Sequence, residues 1–162
     1  MEPKIYISRV KSSEDYRDYV CLLPPKNGLI AASIIGMFRT PESGPPVISQ
    51  ETFSRNGVFI DLMHAVIKRE APKLSAYLAQ ATRVGNGPVY VIDRRAAEDS
   101  TIQPEDTLGA FEARNNQIIP SSYESNPTHR LLSKRGFFQL EEELHTALMQ
   151  DLAALTSGHE EY

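Results

Sequence analysis

Tyr123, Asn126, His129 and Arg130 fall within a single polar run, Ser121 to Arg130, wedged between apolar segments. Together they offer a phenol, an amide, an imidazole and a guanidinium. Asn126-Pro127 favours a turn, and a turn there would bring the four side chains to one point. Such a cluster suits a polar or anionic ligand: Arg130 for charge, His129 for proton transfer near neutral pH, Asn126 and Tyr123 for hydrogen bonds. The plainer reading is a solvated loop in which Arg130 makes an ordinary salt bridge, because most polar loop residues do nothing chemical.

Two carboxylates extend the candidate set. Asp93 ends an apolar stretch and is followed by Arg94-Arg95. A carboxylate beside two guanidiniums stays ionised and is ill suited to donate a proton, so a local ion pair at a strand exit is the favoured role. Glu112 lies in a hairpin. With Asn115-Asn116 as its two-residue turn, Glu112 faces Ile119 and Ala113 faces Ile118. If that face were covered, Glu112 would be an acid in apolar surroundings, a functional clue. Phe111, Ala113 and Ile118 form the more apolar face, so a wet Glu112 is the expectation.

Catalytic signatures are missing. The chain has no Gly-x-Ser-x-Gly elbow, no phosphate-binding glycine loop ahead of a helix, and no His-Glu-x-x-His or Cys-x-x-Cys pattern. No metal and no cofactor is expected on these grounds. His64, next to Leu62-Met63 in an amphipathic stretch, reads as a partly buried, hydrogen-bonded histidine.

The elements that must position these residues are read from periodicity. Lys4 to Val10 alternates as a first strand. Ser12 and Asp15 resemble a weak capping box for a helix over Ser13 to Leu23, with Tyr16, Tyr19, Val20 and Leu23 on one face. Lys26-Asn27-Gly28 reads as a turn, and Leu29 to Phe38 as a central strand with a helix left open. Thr40 to Pro46, with three prolines, is a surface loop, either a connector or a partner-binding edge. Gly57 to Glu70 is the clearest helix. Pro72 opens a second helix, which ends at Gly85-Asn86-Gly87-Pro88. Val89 to Asp93 is a strand and Arg94 to Pro104 a loop. Leu108 to Arg114 and Gln117 to Ile119 make the hairpin. A last helix, Glu141 to Leu155, stripes Leu144, Leu148, Leu152 and Leu155, and Gly158 to Tyr162 is read as frayed. In Gly136-Phe137-Phe138, adjacent aromatics would face opposite ways. The order of elements implies an α+β fold, a largely antiparallel sheet with helices packed on one face, in a single domain over 1–157 with a tail at 158–162.

Composition sets the class. A chain of 162 residues with a 41% hydrophobic fraction can bury a core without staples. Its only cysteine, Cys21, lies in an apolar setting and reads as a buried inert thiol, which implies a reducing compartment. With no secretory pattern and no apolar run of spanning length, the expectation is a soluble cytoplasmic protein away from membranes. The six acids of 141–162 account for the whole negative balance, since the remaining fifteen face all seventeen bases. A basic protein partner could use that segment, whereas no Lys/Arg cluster supports nucleic-acid binding. The favoured function is therefore a small protein-binding module, such as an inhibitor, an immunity-type protein or an accessory subunit. The alternatives are an enzyme or a binder of a small polar or anionic ligand at Tyr123–Arg130, and an oligomeric structural component. The ligand reading requires a concave pocket with several of those polar groups within hydrogen-bond reach.

Overall fold

The computed structural model describes residues 2–25, 29–41, 43–96 and 101–160, the last four by backbone only. Among them the chain forms an α+β fold of three antiparallel sheets and three helices. The first sheet orders β1 (Tyr6–Lys11), β2 (Tyr16–Cys21), β3 (Ile34–Thr40) and β4 (Ser54–Arg55). The second orders β5 (Gly87–Ile92), β6 (Thr107–Arg114) and β7 (Gln117–Ser125), and β8 (Leu132–Ser133) pairs with β9 (Gly136–Phe137). Helices α1 (Gly57–Glu70), α2 (Ser75–Val84) and α3 (Glu142–Glu160) complete the fold. One buried cluster runs through both larger sheets and all three helices, with Phe38, Phe59, Phe111, Phe138 and Leu148 among its fully buried side chains.

The segment read as a helix over Ser13 to Leu23 is strand β2. Its i, i+3, i+4, i+7 spacing coincides with an alternation in which Asp18 and Val20 face inward. The inward Asp18 conceals that alternation, because it is buried by charge rather than by hydrophobicity. Arg9 on β1 grips it through two bonds of 2.7 and 3.0 Å, and Thr40 on β3 donates a third. Arg9 thereby holds the Asp18 carboxyl below its ordinary range, against the cost of burial. Ser12 and Asp15 bond to each other across the β1–β2 turn rather than capping a helix.

The central strand of the Leu29–Phe38 stretch is β3, which starts only at Ile34, after a 3₁₀ turn over Ala31–Ser33. The helix expected to open at Pro72 begins at Ser75, with Pro72 in a preceding 3₁₀ turn. The last helix extends to Glu160, so its backbone stays helical into the segment read as frayed. Leu155 leaves the buried stripe at 46% exposure, while Leu144, Leu148 and Leu152 are buried. The expected turn at 26–28 and residues 161–162 lie outside the described residues.

The α1 helix and the Asn115-Asn116 hairpin form where the sequence places them. Both asparagines take positive φ, 52° and 67°, as a tight hairpin turn requires, and Glu112 pairs with Ile119 and Ala113 with Ile118. Beyond that the register shifts. Ala110 pairs with Glu124, so residues 120–123 of β7 oppose Phe111 alone. Pro120, which has no N–H to give a ladder, sits in this bulge. The Ser122 hydroxyl fills the gap by accepting from the Glu112 amide at 2.7 Å. Bulges re-aim side chains, and this one precedes Tyr123.

Close approach fixes Gly36 on β3. A methyl group there would stand 2.5 Å from the Ser54 carbonyl oxygen and strike the Phe53 ring. Gly36→Ala is expected to lower the unfolding free energy by about 2 kcal/mol or more in urea titrations, since neither the β4 ladder nor the packed ring can yield.

Candidate functional site

Asp93 closes β5 and is fully buried. Its Oδ1 accepts from the amides of Arg95 and Gln139, at 3.1 and 2.8 Å, and its Oδ2 accepts from His129 Nε2 at 2.9 Å. The local ion pair expected at this strand exit forms, with Arg95 Nε 3.6 Å from Oδ2, but it is buried and is joined by these three hydrogen bonds. Behind it, the Arg95 guanidinium is wholly enclosed. Nε reaches Asp106, Nη1 reaches the carbonyls of Leu131 and Gly136, and Nη2 reaches those of Glu105 and Arg130. Arg135 adds a second cation to Asp106 at 3.2 Å.

The turn at Asn126 sets the imidazole in place. The Asn126 Oδ1 accepts from the Thr128 amide, and its Nδ2 donates to the carbonyls of Pro104 and Thr107. The Asn126 carbonyl accepts from the His129 amide. This side chain is spent on shaping the backbone. His129, 5% exposed, is oriented by Asp93. Because a carboxylate only accepts, Nε2–H is the donor in this bond. Nδ1 makes no hydrogen bond among the described residues.

A second histidine meets the first. Tyr123 lies against Gly109, where a methyl group would stand 2.5 Å from the phenol oxygen, and its Oη is 2.7 Å from Nδ1 of His64 on α1. Burial pushes the Tyr123 phenol above its ordinary range, so it keeps its proton. Its oxygen has no other hydrogen-bond partner among the described residues. The phenol therefore donates to Nδ1, and His64 Nε2 carries the ring proton outward. Burial, reinforced by His129 and opposed by Asp61, lowers the His64 pKa to about 4. Its ring is thus neutral at pH 7.

Both rings line a cavity of about 410 Å³ between α1 and the segment 125–131, with Arg55, Asp61 and Asn126 also on its walls. An adjoining cavity of about 370 Å³ carries His129 and Arg130 with Gln50, Phe53 and Arg55. Each is of a size that small-molecule sites occupy. The polar run thus converges in part. His129 faces both cavities, Asn126 lines the first, and Tyr123 acts through His64. Arg130 lines the second and reaches Glu105 only at 3.9 Å. Glu112 is exposed, pairs with Arg114 at 3.1 Å and lines neither cavity.

Arg55 and Asp61 were not singled out in the sequence. Arg55 is held by the short β4 ladder opposite Gly36, directly before Asn56, whose side chain caps α1 and also ties it to the carbonyls of Ala31 and Ile34. Asp61 stands one helical turn before His64, and that i, i+3 spacing was the one available signal.

An imidazole oriented by a buried carboxylate is the pairing that proton abstraction uses. No hydroxyl or thiol bonds to His129 Nδ1 among the described residues, so no nucleophile completes a triad. Among those residues no group of three or more His, Cys, Asp or Glu side chains could hold a metal ion, and no helix is long and apolar enough to cross a membrane. No protein-family model, no curated protein and no solved structure matches this chain.

Two outcomes follow. Arg95→Met removes the cation that Asp93 and Asp106 share and the donor to four buried carbonyls, and urea unfolding should register a loss of about 3–5 kcal/mol. His64 binds its proton less readily in the native state than in the unfolded state. Its contribution therefore turns unfavourable as pH falls from about 6.5 towards 4 and is constant below. Between those values wild type should lose about 2 kcal/mol more stability than His64→Gln, allowing for solvent screening of the half-buried ring. His145, also lowered by burial, is common to both proteins and cancels in the comparison.

Proposed function

We propose that this protein binds a small polar ligand with an anionic group in the cleft between α1 and the 125–131 turn. The observation that carries the reading is His129. It is buried, fixed by Asp93, and leaves an unbonded ring nitrogen beside a cavity that it shares with Arg55. The Arg55 guanidinium has no ion-pair or hydrogen-bond partner among the described residues. An unpaired guanidinium is suited to fork-like recognition of a carboxylate or phosphate. The sequence alone favoured a protein-binding module. The concave cleft supports the ligand alternative instead, since Asn126, His129 and Arg130 of the polar run line it.

A protein-binding role keeps one specific support. Val47 and Ile48, which follow Pro45-Pro46 in the proline-rich loop, are 68% and 54% exposed. Such a pair is small for a docking patch, and it lines neither cavity.

Amide-resolved NMR titration with inorganic phosphate, sulfate and citrate tests the proposal. Resonances of 55–64 and 125–131 should shift at saturable concentrations. Arg55→Gln should weaken binding about tenfold, a loss of ~1.4 kcal/mol, and Val47→Ser/Ile48→Ser should leave it unchanged. Shifts from all three anions that are absent, or scattered over the surface, would overturn it.

A further inference from the structure

The two cavities share Arg55, Pro127, His129 and Leu131, so they adjoin as lobes of one cleft. Their charges are segregated. The lobe beside Phe53 is lined by Arg55 and Arg130 and by no carboxylate. The lobe beside α1 adds Asp61 and His64. Two guanidiniums suit a dianion better than a single carboxylate. Arg130, exposed and reaching Glu105 only at 3.9 Å, is free to turn towards one, since such a pair holds it weakly.

The second lobe has a different polarity. His64 presents Nε2–H, because Tyr123 occupies its inner nitrogen, and His129 presents Nδ1, because Asp93 occupies its Nε2. A hydroxyl, which both donates and accepts, is the ligand group that can answer both rings. The Asp61 carboxylate, with no hydrogen-bond or ion-pair partner among the described residues, can accept a hydrogen bond from a further hydroxyl. The geometry points to a phosphorylated polyol as the ligand class. Its phosphate lies between Arg55 and Arg130, and its hydroxyl-bearing end lies against His64, His129 and Asp61. This assignment rests on the anion-binding reading above and names the ligand for that same cleft.

Calorimetric titration with glycerol 3-phosphate, ribose 5-phosphate and glucose 6-phosphate tests it, alongside the corresponding polyols and inorganic phosphate. At least one ester should bind ten times more tightly than inorganic phosphate, and its unphosphorylated polyol should not register. Asp61→Asn should weaken the ester about fivefold and leave inorganic phosphate unchanged, whereas Arg130→Gln should weaken both. Both side chains are exposed, so neither change disturbs the core. If inorganic phosphate binds as well as every ester and Asp61→Asn has no effect, the two-lobe assignment falls while the anion site stands. If citrate binds and no phosphate compound does, the ligand class is wrong and the anion site again survives. If no anion binds, both readings fall together.

Discussion

One buried guanidinium holds the functional end of this molecule together. Arg95 directs all its nitrogens inward, to one carboxylate and four backbone carbonyls drawn from Glu105, Arg130, Leu131 and Gly136. Those carbonyls belong to segments with little regular structure of their own, and irregular backbone cannot be buried without such partners. An enclosed Arg is costly to desolvate, and only complete pairing makes it tolerable. Here the pairing is complete. The result is a rigid seat on which Asp93 can fix His129.

Asparagines do comparable work at the rim. Asn126 ties the turn before His129 to the backbone at Pro104 and Thr107. Asn56 ties the start of α1, and with it Arg55, to the backbone at Ala31 and Ile34. Each uses an acceptor oxygen for a local turn or cap and both amide hydrogens for a distant segment. The two walls of the cleft are thereby anchored independently to the two larger sheets. This permits a cleft between them without loss of the common core.

What could be read in advance follows from how local each signal was. The hairpin was legible because Asn115-Asn116 encodes its own backbone geometry, and α1 because Phe59, Met63, Val66 and Ile67 mark one face at helical spacing. Strand β2 was not, because its inward residue Asp18 is polar and its partners lie on β1 and β3. At the site, the polar run around His129 announced itself. Its effective partners did not: Arg55 and Asp61 are ordinary surface residues in the sequence, and only the packing of α1 against the 125–131 turn joins them to the cavity. Arg95 read only as one partner in a local ion pair with Asp93, because burial by backbone carbonyls leaves no trace in residue types.

The contrast between spent and unspent charge is what marks the cleft as a place for a ligand. Asp18, Asp93, Arg95 and Asp106 are buried and paired almost to exhaustion. Arg55 and Asp61 carry opposite charges on the wall of one cavity, yet they form no ion pair. A fold free to relax would bring them together for whatever small gain an exposed pair yields. Both are held back by their elements, Arg55 by the β4 ladder and the capped start of α1, and Asp61 by its position on the helix itself. On the same wall stand two imidazoles whose inner nitrogens are already satisfied. Charges left unpaired in this way are available to a molecule that bridges them, and the two imidazoles, fixed by Asp93 and Tyr123, have met their share of the ordering cost of binding in folding.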